Sequence, residues 1–242
     1  LKRAIKQVIK KQVETKTINV PDAVTGTTNT VNFVYTSGSG LHYLVSDLFK
    51  LPQGVDDSTL LVSPNRIGDK VNAIGFLMDY YFTANTGYSI GSAAYVIPYV
   101  KLRITVFQQA FGTPTLTAPL LYDSNFLTGG NTSTLQPINW DEGYVKNVLY
   151  DKVFLIRQNF ASTAWNTAGN QLPLNTCFHF KKYIPYKKII KYCDNNTLNP
   201  NGTDKPIFMI MSAEMDDASG LMPSGTRLLN VTGYTRAWFK DA

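Results

Sequence analysis

Tyr99-Val100-Lys101-Leu102-Arg103-Ile104-Thr105-Val106-Phe107 decides the fold class of this chain. Apolar and polar residues alternate through it with a period of two, the period at which a strand sends successive side chains to opposite faces. The pattern puts Val100, Leu102, Ile104 and Val106 inward and Lys101, Arg103 and Thr105 outward. A helix would wind the same residues round its axis and leave no apolar stripe.

Outward from this stretch, strand signals recur at residues 15–20, 30–35, 70–82, 146–157, 177–184, 207–213 and 228–239. In the 70–82 segment Ile74, Phe76, Met78, Tyr80 and Phe82 share one face. Residues 207–213 are apolar on both faces, as for a strand buried within a sandwich. The connections at 83–94, 112–143, 159–175 and 193–205 are long and polar. Connections longer than about 12–15 residues are uncommon unless they carry a function. Eight principal strands with long corner loops predict an all-β fold, a single eight-stranded jelly roll of two four-stranded antiparallel sheets. A sandwich of 242 residues is routinely one domain, and neither an internal repeat nor a second-domain boundary is visible.

Charge is distributed unevenly. Lys2, Arg3, Lys6, Lys10, Lys11 and Lys16 face a single acid, Glu14, so the first twenty residues hold +5 of the chain's +6. Leu1, Ala4, Ile5, Val8, Ile9 and Val13 recur at helical spacing between these cations. The division predicted is a basic amphipathic N-terminal arm at residues 1–13 and a near-neutral β domain at 14–242. Such an arm can lie on a membrane surface, on nucleic acid or against a neighbouring subunit. The chain starts at Leu1, from which further arm upstream is expected. Charged residues make up 17% of the chain, below the usual level of roughly 25%, which fits a protein that covers much of its surface with copies of itself. No apolar run reaches the roughly 18–20 residues that span a bilayer, so no stable membrane insertion is expected.

Catalytic chemistry is poorly provided for. The two histidines, His42 and His179, and the two cysteines, Cys177 and Cys193, make no metal-ligand cluster. Cys177 and His179 are read as a packed core pair rather than as two ligands. Ser37-Gly38-Ser39-Gly40 lacks the Gly-Lys-Ser/Thr of a phosphate loop. Asp56-Asp57 and Asp216-Asp217 are adjacent carboxylates that suit either an intersubunit cation or a solvated loop. Neither an enzyme nor a cofactor is expected. Binding chemistry is better represented. Lys181, Lys182, Tyr183, Tyr186, Lys187, Lys188, Lys191 and Tyr192 mix cations and aromatics within twelve residues, the combination that holds single-stranded nucleic acid. The same lysines also suit a solvated strand edge protected against aggregation. The nucleic-acid-binding set expected is Lys2, Arg3, Lys6, Lys10, Lys11, Lys16, Lys181, Lys182, Lys187 and Lys188.

Several segments, in order, carry a family resemblance. Glu14-Thr15-Lys16, Leu51-Pro52-Gln53-Gly54, Arg66-Ile67-Gly68-Asp69-Lys70, Tyr150-Asp151-Lys152-Val153-Phe154 and Phe180-Lys181-Lys182 are five of them. The sixth is the ending Thr232-Gly233-Tyr234-Thr235-Arg236-Ala237-Trp238-Phe239-Lys240-Asp241. Together they resemble the capsid proteins of circular single-stranded DNA (circovirus-like, Rep-encoding) viruses, over nearly the whole chain. The arm departs from that pattern in being short and lysine-rich, and Val106-Phe107-Gln108-Gln109 replaces the usual close of its strand. The resemblance implies a viral jelly roll, a sixty-subunit T=1 icosahedral shell built from copies of itself, a packaged single-stranded DNA genome, a host receptor and assembly in the host nucleus. The competing expectation is a secreted lectin-like or receptor-binding β-sandwich. It accounts for the aromatics and long loops but not for the basic arm.

Overall fold

The alternating stretch is a strand from Tyr99 to Gln109, and Val100, Leu102, Ile104 and Val106 on it are fully buried. The computed structural model describes residues 15–20, 30–34, 41–45, 47–49, 51, 68–84, 87–90, 93–96, 99–110, 136–140, 143–157, 177–193, 202–214 and 226–241. The predicted helical arm at 1–13, Ser37–Gly40, Asp56-Asp57 and Asp216-Asp217 lie outside them. The described strands are β1 (Lys16–Val20), β2 (Thr30–Val34), β3 (Leu41–Val45), β4 (Lys70–Ala84), β5 (Gly87–Ile90), β6 (Ala93–Val96), β7 (Tyr99–Gln109), β8 (Val145–Arg157), β9 (Cys177–Cys193), β10 (Gly202–Thr203), β11 (Ile207–Glu214) and β12 (Arg227–Asp241).

They form two principal antiparallel sheets. The first runs β1-β12-β4-β9-β10, with β2 also pairing to β12. β1 pairs with residues Thr235 to Phe239 of β12 and β2 with Arg227 to Thr232, so the two short strands follow one another along one edge of β12. The second sheet runs β3-β11-β7-β8, and β5 and β6 form a separate hairpin. The chain changes sheet between β2 and β3, β3 and β4, β4 and β7, β8 and β9, β9 and β11, and β11 and β12. This alternation is compatible with a jelly-roll sandwich.

The core lies between the sheets. Phe76, Met78, Tyr80 and Phe82 of β4 face Ile104 and Val106 of β7 and Met209 and Met211 of β11 in one buried cluster. Phe154 of β8 packs on Phe178 and Phe180 of β9, with ring centroids 4.9 and 5.6 Å apart. Each fully buried apolar side chain here contributes about 1.5–3 kcal/mol relative to exposure. Several polar side chains that enter the core bridge its elements. The Tyr186 hydroxyl donates to Gln108 Oε1 across the sandwich at 3.1 Å. Asp47 accepts from the backbone N–H of Phe49 and Ile207, each at 3.1 Å, and from the Thr203 hydroxyl at 2.7 Å, which ties residues 47–49 to β10 and β11.

Several expectations change. Arg103 and Thr105 do lie on the outer face of β7, yet they are 5% and 0% exposed. Residue Gln136 and strand β8 close over them: Arg103 donates to the Gln136 carbonyl and, through Nε and Nη2, to both oxygens of Asp151 at 2.8 and 2.6 Å. Ile74 drops out of its predicted face because β4 carries a bulge between Ala73 and Gly75 that resets the alternation. β9 continues past Ile184 to Cys193, and the segments read as connections at 83–94 and 193–205 contain β5 with the start of β6, and β10. β3, which no strand signal marked, completes the second sheet. Within the first sheet β12 sits between β1 with β2 on one side and β4 on the other.

Candidate nucleic-acid interface

Beyond the core, the outer face of the first sheet is built from β9, β4, β12 and β1, and the register sets its side chains in four rows. His179, Tyr81 and Thr232 form the first, and Lys181, Asp79 and Tyr234 the second. Tyr183, Leu77, Arg236 and Asn19 form the third, and Pro185, Gly75, Trp238 and Thr17 the fourth. Rows on one face of a strand are two residues, or roughly 6.8 Å, apart.

The contacts within this face are specific. The rings of Tyr81 and His179 stack at 4.2 Å between centroids and 1° between planes. Below them Asp79, 8% exposed, accepts from His179 Nε2 at 2.7 Å and from Lys181 Nζ at 2.9 Å. These two hydrogen bonds, His179's first, hold the Asp79 carboxyl below the usual aspartate range, and the same contact raises Lys181. Arg236 lies over the Tyr234 ring at 5.3 Å and donates from Nε to Asn19 Oδ1 at 2.9 Å. Tyr183 meets Trp238 edge to face at 5.9 Å. The pair forms across Gly75: a Cβ there would stand 2.5 Å from the Tyr183 hydroxyl, so only glycine leaves the tyrosine room to cross β4.

The predicted site residues do not make one patch. Lys2, Arg3, Lys6, Lys10 and Lys11 lie outside the described residues. Lys16 opens β1 and pairs with Asp241 at 2.7 Å, closing the edge of the sheet. Lys181 and Lys182 are neighbours in sequence but project to opposite faces, as the pleat requires. Lys181 joins the outer face, while Lys182 stands 5.8 Å over the Tyr150 ring, beside the second sheet. Lys187 is exposed, and Lys188 lies 5.1 Å over the Tyr186 ring. Tyr186 and Tyr192, read as stacking residues, are core residues at 3% and 6% exposure and have no ring face to offer. Burial pushes the Tyr186 phenol up to about 12.

Sequence reading missed Tyr81, Tyr234, Arg236 and His179 as one site because β4, β9 and β12 are far apart in the chain. His179 is not a packed core pair with Cys177: both are exposed on the outer face, and the Cys177 thiol is free. Among the described residues no three His, Cys, Asp or Glu side chains converge as metal ligands.

No family model and no curated protein matches the chain. Among solved structures it is similar to infectious bursal disease virus VP2 in a subviral particle, at 9% identity and a TM-score of 0.32 over 95% of this chain and 33% of that one. It is also similar to a chain of the T13 particle of that virus, at 10% identity and a TM-score of 0.33 over 93% and 30%. A third similarity is to the Gt strain of the virus, at 9% identity and a TM-score of 0.29. The chain spans about a third of the length of these proteins.

Proposed function

We propose that this chain is a viral capsid subunit, a jelly roll of eight principal strands that assembles with copies of itself into a closed icosahedral shell around a nucleic-acid genome. In the finer form of the reading the shell has sixty subunits in T=1 symmetry, and the genome is circular single-stranded DNA held by the basic arm. The protein then belongs to the virion, is assembled in the host nucleus, meets a host receptor from outside, and catalyses nothing.

The observation that carries the reading is how the resembling segments meet. β12, the ending that resembles the capsid family, pairs on one side with β1, which begins in the Glu14-Thr15-Lys16 segment. On the other side it pairs with β4, which Gly68-Asp69-Lys70 leads into. Three segments separated by more than fifty residues in sequence are thus neighbours in one sheet. A fold alone does not fix function. The arm adds the second support, because a concentrated +5 on a near-neutral body is a means of holding a polyanion.

Salt dependence tests the cargo side. With five arm cations on phosphates, log affinity for single-stranded DNA falls against log salt with a slope of about −3.5. Deleting residues 1–13 removes most of that slope. An unchanged slope after the deletion overturns the arm's role.

A further inference from the structure

From the outer face of the first sheet we infer a second nucleic-acid site, a platform on which unpaired bases of a single strand stack. The inference rests on the nucleic-acid cargo of the proposed function and adds to it a place and a chemistry, bases on rings rather than phosphates on the arm.

Three observations point to this occupant. Tyr81, Tyr183 and Tyr234 are 49%, 46% and 37% exposed on a sheet whose other face is core, so aromatic surface is left uncovered where burial would otherwise have stabilised it. The parallel Tyr81–His179 stack presents ring faces in the geometry that a further flat ring extends. The charge is complementary as well. Within the four rows the cations are the exposed Lys181 and the half-buried Arg236, and the single carboxylate, Asp79, is buried beneath Lys181 and His179. Aromatic faces interleaved with cations, with no outward acid, are what single strands require, since every base has a stacking face and every linkage a negative charge.

The site is also held in place before anything binds. Asp79 fixes the His179 ring through Nε2, Asn19 fixes the Arg236 guanidinium, and the Gly75 notch seats Tyr183 against Trp238. Side chains already ordered lose less entropy on binding. The platform requires unpaired bases, so it selects single strands over duplex, which the arm's charge alone does not do.

The test compares two labelled strands of equal phosphate number, oligothymidylate and the same backbone without bases, by fluorescence anisotropy with the full 242-residue chain. The expected result is at least about a fivefold preference for the base-bearing strand. Tyr81→Ala and Trp238→Ala each reduce that preference while leaving affinity for the base-free strand unchanged. Tyr81→Phe, which keeps the ring, retains the preference and controls for folding. Equal affinity of the wild-type chain for both strands overturns the platform and leaves the arm reading intact. A preference that survives both alanine variants also overturns it. Binding of neither strand overturns the platform and the nucleic-acid reading together.

Discussion

Replacing Asp151 by asparagine tests the closed outer face of the second sheet, and the structure gives an asymmetric expectation for its partner. Arg103 is buried, with two of its three donor groups on the Asp151 carboxylate and the third on the Gln136 carbonyl. Asp151 also accepts from the Thr105 hydroxyl at 2.8 Å. Asp151→Asn turns one acceptor into a donor facing Arg103 and leaves a buried guanidinium without its counter-charge. Breaking a fully buried pair from one side costs about 3–5 kcal/mol. The Asp151 side chain is 29% exposed, so water offsets part of this, and about 2–3 kcal/mol is expected. Arg103→Met removes the charge that needs a partner and leaves a carboxylate that water and Thr105 still serve, for a loss of about 1 kcal/mol or less. The double variant is then no less stable than Arg103→Met alone. Urea unfolding followed by tryptophan fluorescence measures all three, with a midpoint drop of about 1 M for Asp151→Asn at a slope near 2–3 kcal/mol per M. Equal losses for the two single variants, or strictly additive losses in the double, would refute the reasoning.

Asp79 titrates below its ordinary range when folded, so its contribution is present above the unfolded value of about 3.9 and is lost as pH falls through the lower folded value. Asp79→Asn therefore flattens the acid limb of stability below pH 4, read as urea midpoints from pH 5 to pH 2; an unchanged limb counts against the His179–Asp79–Lys181 arrangement. For Tyr186 the sign is opposite: with the folded phenol at about 12, its contribution is intact below pH 10 and is lost as pH rises through 12, and Tyr186→Phe reduces the alkaline loss. Gly233→Ala places a Cβ 2.2 Å from the Asp79 carbonyl oxygen and 2.6 Å from Tyr80 Cα, so backbone must move between β12 and β4, at a cost of about 3 kcal/mol or more. Gly75→Ala places a Cβ 2.5 Å from the Tyr183 hydroxyl and 2.6 Å from the Ile184 carbonyl oxygen, so it shifts Tyr183 together with backbone between β4 and β9 and shows as a change in Trp238 fluorescence; an unperturbed spectrum contradicts the notch.

Much of the fold was legible because its strands alternate. β7 read correctly because its alternation is a pattern no helix shares, and β11 because a short apolar run of strand length suits burial on both faces. β9 runs past the 177–184 segment to Cys193, through Pro185. Here the proline sits at the bulge opposite Gly75, on a strand that, apart from the two-residue β10, pairs only with β4 among the described residues, so no ladder is broken. β3 and the β5–β6 hairpin are too short to show a period above the polar background. The site was legible only in part. A run of lysines and tyrosines in one segment looks continuous in sequence, yet the pleat sends half of it to the other face and buries Tyr186 and Tyr192. Tyr81, His179, Tyr234 and Arg236 come together only through the register of three distant strands. No local signal in any one of those strands marks the others.

The most direct test of the capsid account is electron microscopy of the purified 242-residue chain across salt and pH. The account predicts uniform closed shells, each built from sixty copies of the 27.0 kDa subunit. Small oligomers alone, under every condition, would contradict it.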